Sequence, residues 1–214
     1  MVDRIRALLV FLAMFGAAGP LRAEVIDRIL AVVDTQIVTL SDARAALKFS
    51  LVPEDVATDP IAAVLQRLID RRLMLAEVDR YAPPEPTPAA VDAAMAVVER
   101  RFKDTLEMEI ALNQSAMSRE ELRRYVRDTL RLETYFQQRF STVVQPSEDE
   151  ILRYYREHAA EFTVSGQLQS LAAARDAVRT AVIREQRDVL VRQWVEGLRR
   201  RGAVQLLYLP QAGK

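Results

Sequence analysis

The sequence predicts a mainly α chain closed by a small antiparallel sheet. Composition is the first reason. Ala, Leu, Arg and Glu are abundant and only 6 of 214 residues are Gly, a mix that favours helix by intrinsic propensity. Helix-start signals are the second. Asp59-Pro60 and Thr87-Pro88 each place a capping side chain before a proline, and Ser118 with Glu121 and Ser147 with Glu150 form capping boxes. The third is a pair of β-favouring runs, "VIDRILAVVDTQIVTL" (Val25 to Leu40) and "AVQLLYL" (Ala203 to Leu209), near the two ends of the chain.

The first run predicts a hairpin, with Asp34-Thr35-Gln36 at its turn. Ser41-Asp42 offers the cap of a short helix to about Phe49. Leu51 to Asp59 is a loop. The helix that starts at Pro60 carries Ile61, Val64, Leu65, Leu68, Ile69 and Leu73 on one stripe, and leaves Arg67, Asp70, Arg71 and Glu77 to solvent. "YAPPEPT" (Tyr81 to Thr87) is a stiff linker. Val91, Met95, Val98, Phe102 and Leu106 then predict one helix running to about Leu112.

The capped helix from Ser118 runs to about Phe140 and is rich in aromatics. Ser141 to Pro146 connects it to a short helix that starts at Ser147. "EHAAEFTVSGQLQSL" (Glu157 to Leu171) joins that helix to a long one over about Ser170 to Arg201. Arg199-Arg200-Arg201 and Gly202 form its stop signal. Ala203 to Leu209 is a strand, and its expected partner is the N-terminal hairpin. The two ends of the mature chain then meet in one sheet.

Arg4, Arg6, the apolar run Ala7 to Ala18, the Gly19-Pro20 break and Ala23 read as an export signal over residues 1–23. The apolar run is shorter than the ~20 residues of a spanning helix. With no Cys, a lipid-anchored lipoprotein is excluded and no stable membrane anchor is expected. The expected destination is a Gram-negative periplasm. Residues 24–214 are expected to form a single domain, with parts 24–162 and 170–214 on either side of a joint at 163–169.

Several chemistries have no sequence support. Six glycines leave no dinucleotide fingerprint or P-loop, and no nucleophile elbow occurs. The one histidine, His158, sits beside Glu157 at a helix end and reads as a partly exposed residue of the last turn. Thirty Lys and Arg balance 30 Asp and Glu, so no net field draws nucleic acid. Glu148-Asp149-Glu150 reads as capping, and "ERRFK", "LRRYVRD" and "LRRRG" read as solvated faces. No catalytic residue, metal, cofactor or small-molecule substrate is expected. Met95, Phe102, Met108, Met117, Tyr125, Tyr135 and Phe136 read mainly as core. Met95, Phe102, Met108 and Tyr125 are the candidates to line an exposed apolar groove.

Four stretches, in order, resemble the SurA-type periplasmic chaperones. They are "VIDRILAVVDTQIVTLSDARAAL" (Val25 to Leu47), "VLQRLIDRRLMLAEVDRY" (Val64 to Tyr81), "PSEDEILRYYREHAAEF" (Pro146 to Phe162) and "VRTAVIREQRDVLVRQWVEGLRRRGAVQLLYL" (Val178 to Leu209). In that family, and in its relatives PpiD and PrsA, a segment like the third leads into a parvulin-type prolyl isomerase domain. Here only Thr163 to Gln169 stands in its place. The resemblance therefore implies a chaperone module without the isomerase. It implies ATP-independent holding of unfolded envelope proteins, with outer-membrane β-barrel precursors as the expected partners. A dedicated adaptor for one envelope protein is the alternative, and a prolyl isomerase a lesser one.

Overall fold

The computed structural model describes residues 27–53, 58–140 and 145–208. The export signal, Val25-Ile26, most of the Ser141 to Pro146 connector and Leu209-Pro210 lie outside the described residues. Strands β1 (Ile29–Val33) and β2 (Gln36–Thr39) form the expected hairpin. Its turn needs no glycine because Asp34, at φ 52°, takes the left-handed conformation that Asp tolerates. The same residue clamps the far end of the chain. Its N–H donates to the Ala203 carbonyl at 2.7 Å, and its Oδ1 accepts from the Ala203 N–H at 3.0 Å.

Helix α1 (Leu40–Lys48) starts earlier than expected. Thr39, the last residue of β2, is the cap, and Asp42 closes the box from the third helical position. Helix α2 (Pro60–Tyr81) begins at the predicted Asp59-Pro60 and ends at Ala82, φ 49°. Val64, Leu65, Leu68, Ile69 and Leu73 are buried, as the stripe predicts, and Ile61 is partly buried against them.

The helix expected over Pro88 to Leu112 is two helices, α3 (Pro88–Glu99) and α4 (Thr105–Gln114). Asp104 caps α4, accepting from the Glu107 N–H at 2.8 Å. Arg101, in the break, donates to the carbonyls of Phe49 and Ser50 at 2.7 and 3.0 Å. The break thus ties the C-terminal end of α1 to the α3–α4 pair. Helices α5 (Arg119–Phe140) and α6 (Glu148–Glu157) start at their predicted capping boxes.

The joint is more structured than the sequence suggests. A 3-10 turn (Ala159–Phe162) leads into a two-stranded hairpin, β3 (Thr163–Val164) and β4 (Gln167–Leu168). Ser165 and Gly166 both have positive φ, 51° and 80°, the combination that the tightest hairpin turn requires. His158 ends α6, stacked on Tyr154 at 3.9 Å.

Helix α7 (Leu171–Arg201) then returns along the molecule, and β5 (Val204–Leu206) follows it. The strand order is β2-β1-β5, all antiparallel. Gly202 ends α7 with an ordinary φ of −78°, so it is needed for space and not for left-handed geometry. A Cβ there would meet Leu73 Cδ2 at 2.5 Å.

Four clusters of buried side chains result. One lies under the sheet, between α1, α2 and Leu198 of α7. A second joins Ala45 of α1 and Phe49 just past its end to α3, α4 and α5. A third packs α6 and Phe162 on the first half of α7, through Ala174, Val178 and Val182. The fourth is aromatic, where α2, α5 and Trp194 of α7 meet.

Candidate functional site

Helix α7 changes partners along its length. Its first half packs on α6, and its second half on α2 and α5. Between that second half and the facing sides of α2 and α5 lies an open cleft of about 950 Å³. Met74 from α2, Tyr125 and Phe136 from α5, and Val191 and Val195 from α7 supply apolar wall. Leu51, Val52 and Pro53 close one end. Met74 and Phe136 lie half-buried, so they have apolar surface left to cover.

Behind the wall, Trp194 supports the cleft. Its ring lies 5.4 Å from Tyr135, 5.8 Å from Phe136 and 6.0 Å from Phe140. Such edge and tilted contacts fix ring positions as well as burying area. The rim is charged. Arg199 bonds Asp70, and donates to the Gln66 side chain at 3.0 Å and the Gln66 carbonyl at 3.2 Å. Asp188, Arg192 and Glu196 continue the rim on α7.

At the base of the cleft, Arg71 sits over Tyr125. The guanidinium carbon is 3.6 Å from the ring centroid, and Nη2 donates to the Tyr125 carbonyl at 2.7 Å. Arg71 is therefore half-buried and not solvated as its place on α2 suggested. Burial pushes its pKa below the usual arginine value and pushes the Tyr125 hydroxyl above the usual tyrosine value. The Tyr125 hydroxyl donates to the Leu51 carbonyl at 3.1 Å, which ties the loop to the cleft wall.

The four candidates read from sequence separate here. Tyr125 lies in the cleft wall. Met95 and Met108 are 4% and 2% exposed, packed in the second core cluster with Val91, Leu112 and Leu122. Phe102 is half-buried, its ring 5.4 Å from Phe49, and lines a separate hollow with Met108 and Arg119. The structure does not bring the four together. Met74, Val191 and Val195 are cleft residues that sequence reasoning did not single out, and Phe136, read from sequence mainly as core, lines the cleft as well. Val191 and Val195, four apart on a helix, are the one local signal for them.

Among the described residues no three Asp, Glu or His side chains group as a metal site, and no helix is long and apolar enough to cross a membrane. What the fold and the cleft define is a helical module whose N-terminal hairpin and C-terminal strand share one sheet.

No protein-family model matches the chain. It is 29% identical over 196 residues to Chaperone SurA of Alkalilimnicola ehrlichii, a match covering 85% of this chain and 44% of that protein. The chain thus spans less than half the length of this curated relative. Among solved structures it superposes on a chain described among two structurally related SurA-like chaperones of Campylobacter jejuni. The TM-score is 0.51 at 13% identity, over 85% of this chain and 100% of that one. In sequence and in fold the chain is SurA-like.

Proposed function

We propose that the chain is an ATP-independent periplasmic chaperone that holds unfolded envelope proteins, outer-membrane β-barrel precursors above all, in the cleft between α2, α5 and α7. The observation that carries this reading is the cleft itself, an open apolar wall inside a charged rim. Unfolded chains share little beyond apolar side chains and a backbone. A wall of Met74, Tyr125, Phe136, Val191 and Val195 can cover such side chains at about 25 cal/mol per Å² buried, without sequence-specific chemistry. Methionine at a half-buried position adapts to different shapes.

The names of the similar proteins support a chaperone role, and residues 1–23 read as the signal that would deliver the chain to the periplasm. The β3–β4 hairpin occupies the place where the family resemblance puts an isomerase domain, so catalysis of prolyl isomerisation is not part of this reading. Phe102, Met95 and Met108 act on this proposal as support for the α3–α4 wing, and Tyr125 is the contact residue.

Breadth tests it. Several unrelated unfolded proteins are diluted from urea with and without the purified chain, in the absence of ATP, and aggregation is followed by light scattering. Suppression across the panel is expected. Suppression of none, with one envelope protein captured in pull-downs, would replace the chaperone by a dedicated adaptor.

A further inference from the structure

Among the described residues, strand β5 is the outer strand of its sheet. The Asp34 N–H donates to the Ala203 carbonyl at 2.7 Å, and the Leu207 N–H donates to the Leu30 carbonyl at 2.9 Å. With Val32 opposite Gln205, the bonds to β1 fall on the odd-numbered residues of β5. The N–H and C=O groups of Val204 and Leu206 therefore point away from β1. Among the described residues no strand pairs with them.

The side chains on this edge are also uncovered. Val204 lies opposite Val33, and Leu206 opposite Ala31, which in turn lies opposite Val38. Val33, Ala31 and Val38 are buried under α2, so Val204 and Leu206 belong to the same inner face. Yet they are 39% and 53% exposed. The apolar face of the sheet runs on past its helical cover and ends as an open shelf. Edge strands are ordinarily blunted by a charge, a proline or a bulge. Val204-Gln205-Leu206 carries no charge and no proline, and the bulge at Leu207-Tyr208, whose two N–H groups both donate to the Leu30 carbonyl at 2.9 Å, comes only after it.

We propose that this edge is a second client site, which adds an extended segment of an unfolded protein as a fourth strand beside β5. The idea rests on the chaperone reading and names the form of client the sheet takes. The unpaired backbone groups demand an extended partner, and the shelf demands apolar side chains at alternate positions. A membrane β-barrel strand, apolar on one face and polar on the other, has that pattern. A helical or uniformly polar segment does not.

The test uses a synthetic peptide of about seven residues with alternating apolar and polar side chains. Two further peptides carry N-methyl groups on alternate amides, one set in each parity, which block backbone pairing along one edge of the peptide only. Binding to the purified chain is measured by calorimetry. One parity should weaken binding roughly tenfold and the other should leave it within about twofold. Leu206→Pro blocks an amide that faces away from β1, so it should remove binding while leaving the melting temperature near that of the parent. Leu206→Lys is the second variant, in case proline disturbs the fold.

Equal binding of both methylated peptides would overturn the proposal, as would unchanged binding to the variants. If the protein still suppressed aggregation in that case, the cleft reading would stand without the edge. A concentration-dependent dimer lost in Leu206→Pro, with no peptide binding, would assign the edge to a second copy and would also overturn it.

Discussion

Arg71 of α2 holds Tyr125 of α5 from two directions, with its guanidinium over the ring at 3.6 Å and Nη2 on the carbonyl at 2.7 Å. Tyr125 in turn holds the Leu51 carbonyl through its hydroxyl. The pair fixes the base of the cleft and the loop at its end. Arg71→Lys keeps the charge but loses the planar stack, and should cost about 0.5–2 kcal/mol in urea denaturation. Tyr125→Phe should cost about 0.5–1.5 kcal/mol by stranding the Leu51 carbonyl. Wild-type stability in both variants would show that the stack does not hold the cleft.

Met95 and Met108 distinguish core from groove. A residue that lines an open groove can be truncated with little loss of stability. Both are buried here, so Met95→Ala and Met108→Ala should each cost about 2–5 kcal/mol by chemical denaturation. Losses well under 1 kcal/mol would put them on an open surface instead.

Gly202 passes directly over Leu73. Its own backbone angles suit any residue, so the obstacle to a side chain is steric: a built Cβ would lie 2.5 Å from the Leu73 methyl group and 3.3 Å from the Leu198 carbonyl oxygen. Leu73 sits in the core under the sheet and has little room to turn aside. Gly202→Ala should therefore destabilise by about 1–3 kcal/mol, as overpacking does. A neutral or stabilising effect would mean that Leu73 rotates freely.

Acid should loosen the joins at the helix starts. The Asp59 carboxylate accepts from the Ala62 N–H at 2.9 Å and the Tyr208 hydroxyl at 2.8 Å, and these bonds hold its pKa below the usual aspartate value. Glu121 and Glu150 are lowered likewise by the backbone and then the side chain of Ser118 and Ser147. A carboxylate whose folded pKa is depressed contributes stability that is fully present above its unfolded pKa. That stability is lost as pH falls through the folded value. The melting temperature should hold from neutral pH to about pH 5 and fall below about pH 4. Asp59→Asn keeps a cap but not the charge, so it should melt lower at pH 7 and lose less on acidification. An acid loss as large as that of the parent would remove Asp59 from this account.

What the sequence made legible was local. The capping boxes at Ser118 and Ser147 and the Asp59-Pro60 start depend on residues three apart, and each opens the helix it predicts. The sheet was legible because both of its parts are short β-favouring runs that need each other. The break between α3 and α4 was not. The apolar spacing of Val91, Met95, Val98 and Phe102 runs straight into it, and Arg101 is drawn out of the helix by carbonyls about fifty residues earlier. The cleft was least legible. Met74, Phe136 and Val191 come from three distant helices, and only assembly decides which of their faces stay open. Tyr125 lies in the cleft wall, and nothing in its local sequence distinguished it from Met95 and Met108, which are buried. Arg71 was missed because its partner is a ring on another helix.

The most direct measurement follows light scattering as an unfolded porin is diluted from urea beside the wild-type chain or Val191→Glu, with no ATP present. Val191 is half-buried in the cleft wall, so a carboxylate there spoils the apolar surface without entering a core cluster. The account predicts suppression by the wild type at near-stoichiometric amounts, and clearly weaker suppression by a Val191→Glu variant of matched melting temperature. No suppression by the wild type, or equal suppression by both, would contradict it.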